Sequence, residues 1–266
     1  MKHFVLLRLR ESGGFTLVEL IIVLVIVGVV GSMSTMLIIR PIQGYAALSR
    51  RASLVNTADN ALRRMQRDVR AALPNSLRIL ETGGTSILEL LHTRAGGRYR
   101  AQSPGDILNF SAPDADFDII GELSEAPADG QFLVVANLSA TAGANNAYLS
   151  LGTDNRARIS GASTASLIAL SEPHQFPLPD ANRRFFVVDE AVSYVCDSAA
   201  GTLVRHAGYA IQNPQSAGFS GGSSALMADK LSSCRFDYQD GLLRLKLTVE
   251  QEGEAIHLLQ QVFVVN

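Results

Sequence analysis

The first group in this 266-residue chain that could do chemistry is a carboxylate set a few places inside an apolar run. Gly14-Phe15-Thr16-Leu17-Val18-Glu19 joins a short basic leader to a predominantly apolar run from Phe15 to Ile39. Lys2, Arg8 and Arg10 stand against Glu11 in the leader, and Glu19 is the run's one charge. An ionisable group in a membrane helix costs about 2.5–3.5 kcal/mol at the centre and less near an end, so Glu19 alone reads equally as a tolerated polar residue near the interface. A carboxylate buried between packed helices is costly unless it is paired. The order of residues reads as a cut after Gly14, a retained helix, and Glu19 used in assembly.

Other reactive groups are fewer. Cys196 and Cys234 both lie in the C-terminal third. In an exported domain they most simply form one disulfide, the alternative being two free buried thiols. No histidine stands near them at ligand spacing, so a tetrahedral metal shell cannot be completed. Asp114, Asp116 and Asp118, with Glu125 at the twelfth place, resemble part of a calcium loop, but Ile119 occupies the position where the sharp turn normally needs glycine. A solvated acidic loop is the default there, with calcium a weak candidate. Gly218-Phe219-Ser220-Gly221-Gly222 fits the spacing of a hydrolase nucleophile elbow, which requires a strand before it and a helix after it. A Gly/Ser-rich context surrounds it instead. No catalytic group, cofactor site or metal site is expected, and the net charge of −2 without a basic run gives no case for nucleic acid.

The elements that must position Gly14, Phe15 and Glu19 follow from hydropathy. Residues 15–39 give roughly 37 Å of helix at about 1.5 Å per residue, enough to span a hydrocarbon layer of about 30 Å. A secretory signal has a shorter apolar core and a small-residue cleavage site after it. Basic residues precede the run, so the leader 1–14 should stay cytoplasmic and the remainder should cross the inner membrane. Residues 40–73 read as an amphipathic continuation of the helix. Leu48, Val55, Leu62 and Val69, with Ala58, Met65 and Ala72 between them, form its apolar seam. Pro41 should kink this helix and Pro74 should follow its end.

From 74 to 266 the pattern is short apolar runs between Gly, Pro, Asn and Asp. Strands are expected at 86–91, 132–137, 148–151, 167–170, 185–188, 192–195 and 203–209. A three-stranded antiparallel meander should close the chain, with turns at Gln239-Asp240-Gly241 and Glu252-Gly253-Glu254. Residues 139–146 and 212–224 read as loops. The fold class is α+β: a long N-terminal membrane-spanning helix and a C-terminal antiparallel β-sheet head.

Gly14 followed by Phe15-Thr16-Leu17-Val18-Glu19-Leu20-Ile21 resembles the class III signal of type IV pilins and type II secretion pseudopilins. The resemblance implies a prepilin peptidase that cuts after Gly14 and methylates Phe15. It also implies that Glu19 meets the terminal amine of a neighbouring subunit. Arg184-Phe185-Phe186-Val187-Val188-Asp189, Val192-Ser193-Tyr194-Val195-Cys196 and Cys234-Arg235-Phe236-Asp237-Tyr238 resemble minor pilins of the mannose-sensitive haemagglutinin (MSHA) pilus, of the MshO type. By that resemblance the chain is a non-catalytic priming or tip subunit, pilin-like in fold. Its partners are other major and minor pilins and the inner-membrane assembly platform. Its head is periplasmic, or displayed in the extracellular pilus. A J-type pseudopilin and a tip adhesin binding a surface ligand are the competing expectations. The middle of the chain, about 92–180, resembles nothing named.

Overall fold

The computed structural model describes residues 14–34, 39–141, 143, 145–149 and 155–264. The leader to residue 13 lies outside the described residues. The chain divides into two compact units, Met1–Ser53 and Leu54–Asn266.

In the first unit, α1 spans Leu17–Ser34. It is apolar on every face and none of its residues is buried. A helix of that kind needs an apolar solvent rather than a protein core, and α1 is long and apolar enough to cross a membrane. The second helix, α2, spans Arg40–Arg70 and carries Pro41 in its first turn, where a missing N–H matters least. The kink expected at Pro41 bears on residues 35–38, which lie outside the described residues.

Within the second unit the buried face of α2 is Leu54, Ala58, Ala61, Leu62, Met65, Asp68 and Val69. Of the expected seam, Ala58, Leu62, Met65 and Val69 are buried on α2, while Ala72 lies beyond the end of the helix and is half-buried. Leu48 is exposed and Leu54 is buried where Val55 was expected, because packing against the β-domain begins only at Leu54. α2 ends at Arg70 rather than 73. The Leu73 and Thr93 amides donate to the Leu91 and Ala71 carbonyls, which ties the end of the helix into a strand edge. Arg67 and Arg70 in the last turn complement the helix dipole.

Twelve strands follow among the described residues, and two of them form a spine. β1 is Arg78–Thr82 and β2 is Thr85–Tyr99. β3 is Asp114–Ile120, β4 Phe132–Val135, β5 Arg156–Arg158 and β6 Leu167–His174. β7 is Arg184–Asp197, β8 Thr202–Tyr209 and β9 Ser223–Ala228. The long antiparallel pair β2–β7 runs the length of the nine-stranded sheet. At one end β1 flanks β2, while β8 and then β9 flank β7. At the other end the order is β5-β4-β7-β2-β3-β6. There β5 and β6 meet through the bridge Ile159↔Leu170, so this half curls into a small barrel. Register shifts at His92–Ala95 mark a bulge on the spine between the halves.

The barrel half contains most of the middle region. Its core includes Tyr99, Phe117, Ile159, Ile168, Phe176 and Phe185. Phe117 meets Phe185 edge-on, with ring centroids 5.8 Å apart. The other half shares a core with α2 and with a separate three-stranded sheet made of β10 (Leu231–Gln239), β11 (Leu242–Gln251) and β12 (Glu254–Phe263). This is the expected meander. Its two-residue turns, Asp240-Gly241 and Glu252-Gly253, have positive φ at all four residues, as hairpin turns that match strand twist require.

Several expectations are corrected. The runs 185–188 and 192–195 are one strand, β7. Tyr148 lies outside any strand, buried in a loop with its hydroxyl donating to the Ser76 carbonyl, and residues 150 and 151 lie outside the described residues. β1, β3, β5 and β9 were not expected. The acidic stretch at 114–118 is therefore a paired strand and not a loop.

Candidate functional site

The N-terminal constellation is built on the first turn of α1. Phe15 is 80% exposed immediately before the helix. The Thr16 hydroxyl oxygen accepts the Glu19 amide N–H at 3.3 Å. Thr16 is thus the N-cap and Glu19 the third helical residue, the spacing of a capping box. Glu19 has a local role that sequence reading missed, although the T-x-x-E order was visible. A carboxylate in the first turn also faces the positive end of the helix dipole. Glu19 stands at an exposed helical start, one turn from Phe15.

Residues 9–35 match the prokaryotic N-terminal methylation motif. The match brackets Gly14, Phe15 and Glu19 and all of α1. The motif is type IV pilin-like and implies processing by a prepilin peptidase. With α1 followed by antiparallel sheets, the chain has a pilin-like α+β architecture, and the motif lies on a helix long and apolar enough to cross a membrane. No curated protein and no solved structure matches the chain.

The acidic candidates do not converge. Asp116 and Asp118 share one side of β3, and a register shift separates them from Asp114. Asp118 accepts the Asp106 amide at 3.0 Å and Asp114 accepts the Asn109 amide at 2.7 Å. These carboxylates hold the preceding loop against β3. A hydrogen bond with Asp106 raises the pKa of Asp116, with burial and the neighbouring carboxylates adding to the effect. Glu125 is elsewhere, paired with Arg94 at 2.8 Å. Among the described residues no group of three or more His, Cys, Asp or Glu is placed to hold a metal ion. In the Gly218–Gly222 stretch, Phe219 stacks on His206 at 4.3 Å, and strand β9 follows instead of a helix.

Cys196, at the end of β7, is joined to Cys234 in β10, so the disulfide ties the large sheet to the meander. Two polar clusters brace the same region. Asp68 on α2 accepts the Tyr194 hydroxyl at 2.9 Å and Arg205 Nε at 2.7 Å, with Arg64 at 3.2 Å on its other oxygen. Glu89 and Arg78, directly opposed across β1 and β2, form a buried pair.

At the spine bulge, His92 Nδ1 lies 2.7 Å from Asp189 Oδ1. This hydrogen bond raises the His92 pKa above its ordinary value of 6.5, against the opposing effect of burial. The folded pKa exceeds the unfolded one, so the stabilisation is complete below about 6.5 and is lost as pH rises through the folded value. Urea midpoints should therefore fall as pH climbs through that window. In Asp189→Asn that slope should flatten, and an unchanged slope in the variant would assign the pH dependence elsewhere.

Proposed function

We propose that this chain is a minor pilin of a type IV, MSHA-like pilus, a non-catalytic subunit that works by assembly. One observation carries the reading: Gly14, Phe15 and Glu19 stand at the capped start of an exposed helix that is apolar apart from Glu19 and two serines in its last turn, inside the methylation motif. On this reading prepilin peptidase cuts after Gly14 and methylates Phe15. α1 holds the chain in the inner membrane with its head in the periplasm. Glu19 then pairs with the terminal amine of a neighbouring subunit as α1 enters a filament core, where an unpaired carboxylate would be costly. The sheet domain engages other pilins. A head of this size, with a barrel half added to the pilin-like sheet, suits a priming or tip position better than repeated packing along a shaft. A J-type secretion pseudopilin shares the same N-terminal chemistry, and the adjacent genes separate the two.

N-terminal sequencing after co-expression with a prepilin peptidase should give N-methylated Phe15. A mature chain starting at any other residue removes the basis of the reading. Glu19→Ala should leave cleavage intact and lower incorporation into filaments at least tenfold. Normal incorporation of that variant would contradict the assembly role.

A further inference from the structure

α2 and the edge of the large sheet enclose a groove of about 480 Å³ lined by Asn60, Arg63, Arg64, Arg67, Arg205, Ala225 and Met227. Two properties of this groove are independent of each other.

The first is charge. Four guanidinium groups reach the groove, and their carboxylate partners are Asp59, Asp68 and Glu190. Asp68 is shared between Arg64 and Arg205, and Arg67 has no ion pair among the described residues. Arg63 and Arg67 lie one turn apart on the exposed face of α2. The helix is basic along its length, with seven arginines against Asp59 and Asp68 between residues 40 and 70.

The second property is backbone. β9 pairs with β8 on one side only. Its six residues, Ser-Ser-Ala-Leu-Met-Ala, contain no proline and no charge. Its ladder with β8 has one register shift, between Leu203 and Val204, and runs in regular register from Leu226 to Ser223; an edge without proline or charge is a template for another strand. β1, β10 and β12 are likewise paired on one side only, and β9 differs from them in lying against the arginines of the groove. Along β9, Ala225 and Met227 face the groove, while Leu226 is exposed on the other side.

We propose that the free edge of β9, walled by Arg63 and Arg67, is a docking site for an extended acidic segment of a different pilin subunit. The proposal rests on the assembly role above and names the chemistry of the partner. A strand added to β9 would set alternate side chains against the arginine wall and against Leu226, so the matching segment alternates acidic and apolar residues. This chain's own acidic segment cannot readily supply that strand. Asp114, Asp116 and Asp118 belong to a strand already paired with β6 and hold the loop before it, and Glu125 is engaged by Arg94.

The test uses the mature chain in mild detergent and a labelled eight-residue peptide alternating Glu and Val, read by fluorescence anisotropy. The control peptide has Thr for every Glu. The Glu peptide should bind at least about tenfold more tightly than the Thr peptide, and high salt should remove the difference. Arg63→Glu with Arg67→Glu should weaken the Glu peptide by about tenfold or more. Both side chains are at the surface, so the fold should be preserved, and near-ultraviolet circular dichroism checks this. Leu226→Pro should abolish binding of both peptides, because proline is not accommodated in a strand paired on both sides. Equal affinity for the two peptides, no binding at millimolar peptide, or indifference to the double charge reversal would each overturn the proposal. Self-association of the peptide-free chain that the same reversal dissolves would assign the groove to a second copy instead. Correct processing at Phe15 in a chain that fails to bind would refute the docking site and leave the pilin reading standing.

Discussion

Arg78→Met is expected to destabilise the β-domain by about 3–5 kcal/mol, because it strands a buried carboxylate. The Arg78 and Glu89 side chains are only 4% and 2% exposed, and Nε lies 2.7 Å from Oε2. The guanidinium also donates to the Gln212 carbonyl at 2.6 Å and lies 3.6 Å from the centre of the Tyr148 ring. Glu89 uses its other oxygen to accept the Tyr209 hydroxyl at 2.8 Å, and Tyr209 lies 2.6 Å from Ser193 Oγ. Burial raises the pKa of both Tyr148 and Tyr209, so these hydroxyls stay protonated and remain donors. Removing the arginine leaves Glu89 with one donor and no countercharge. Removing both charges should cost much less than the sum of the single changes, since an apolar pair pays no desolvation penalty. Arg78→Met, Glu89→Met and the double variant, compared by urea denaturation of the mature chain, form the cycle. A double variant as unstable as the sum of the singles would mean that the pair is not coupled. A single Arg78→Met loss below about 1 kcal/mol would mean that water reaches Glu89.

That pair shows where sequence reading stopped. The run 86–91 was legible as a strand, but Glu89 within it was not singled out. Its partner was not legible, because β1 was unrecognised and the pairing exists only through the β1–β2 register. β3 was missed for a related reason. Aspartate disfavours strands, so Asp114, Asp116 and Asp118 suggested a loop, although Phe117 and Ile119 alternate with acids as a half-buried strand should. Three residues in β5 are too few to show a period, and β9 has no β-branched residue. The meander was fully legible, since alternating leucines and two turns with positive φ specify both face and register. At the N-terminus, Gly14, Phe15 and Glu19 were visible from residue order. The arginine-walled edge was not, because it needs α2 and β9, more than 150 residues apart in sequence, to be brought together.

Cys196→Ser with Cys234→Ser should lower stability by about 3–4 kcal/mol, the chain-entropy value for releasing a loop of this length. The two cysteines are 38 positions apart, and their Cα atoms are 6.2 Å apart. The location makes the loss specific. β10 is the first strand of the meander, and Cys234 packs against the core that α2 shares with both sheets. The hydrogen-bonded ladders run within each sheet and none joins the large sheet to the meander. Shared apolar packing, the disulfide and a backbone hydrogen bond, from the Leu231 amide to the Gly201 carbonyl at 3.0 Å, hold β10–β12 in place. Without the cross-link the meander should open before the β2–β7 spine. Hydrogen exchange on the reduced chain should show protection falling first over residues 231–263, with the amides of β2 and β7 protected longest. Uniform loss across both sheets would mean that the packing already couples them into one cooperative unit. Opening of the meander uncovers Phe236, Leu243, Leu245 and Leu247, all buried in the intact domain. A reduced head should consequently be lost to proteolysis while Phe15 is still correctly processed, which separates failure of the head from failure of the N-terminal signal.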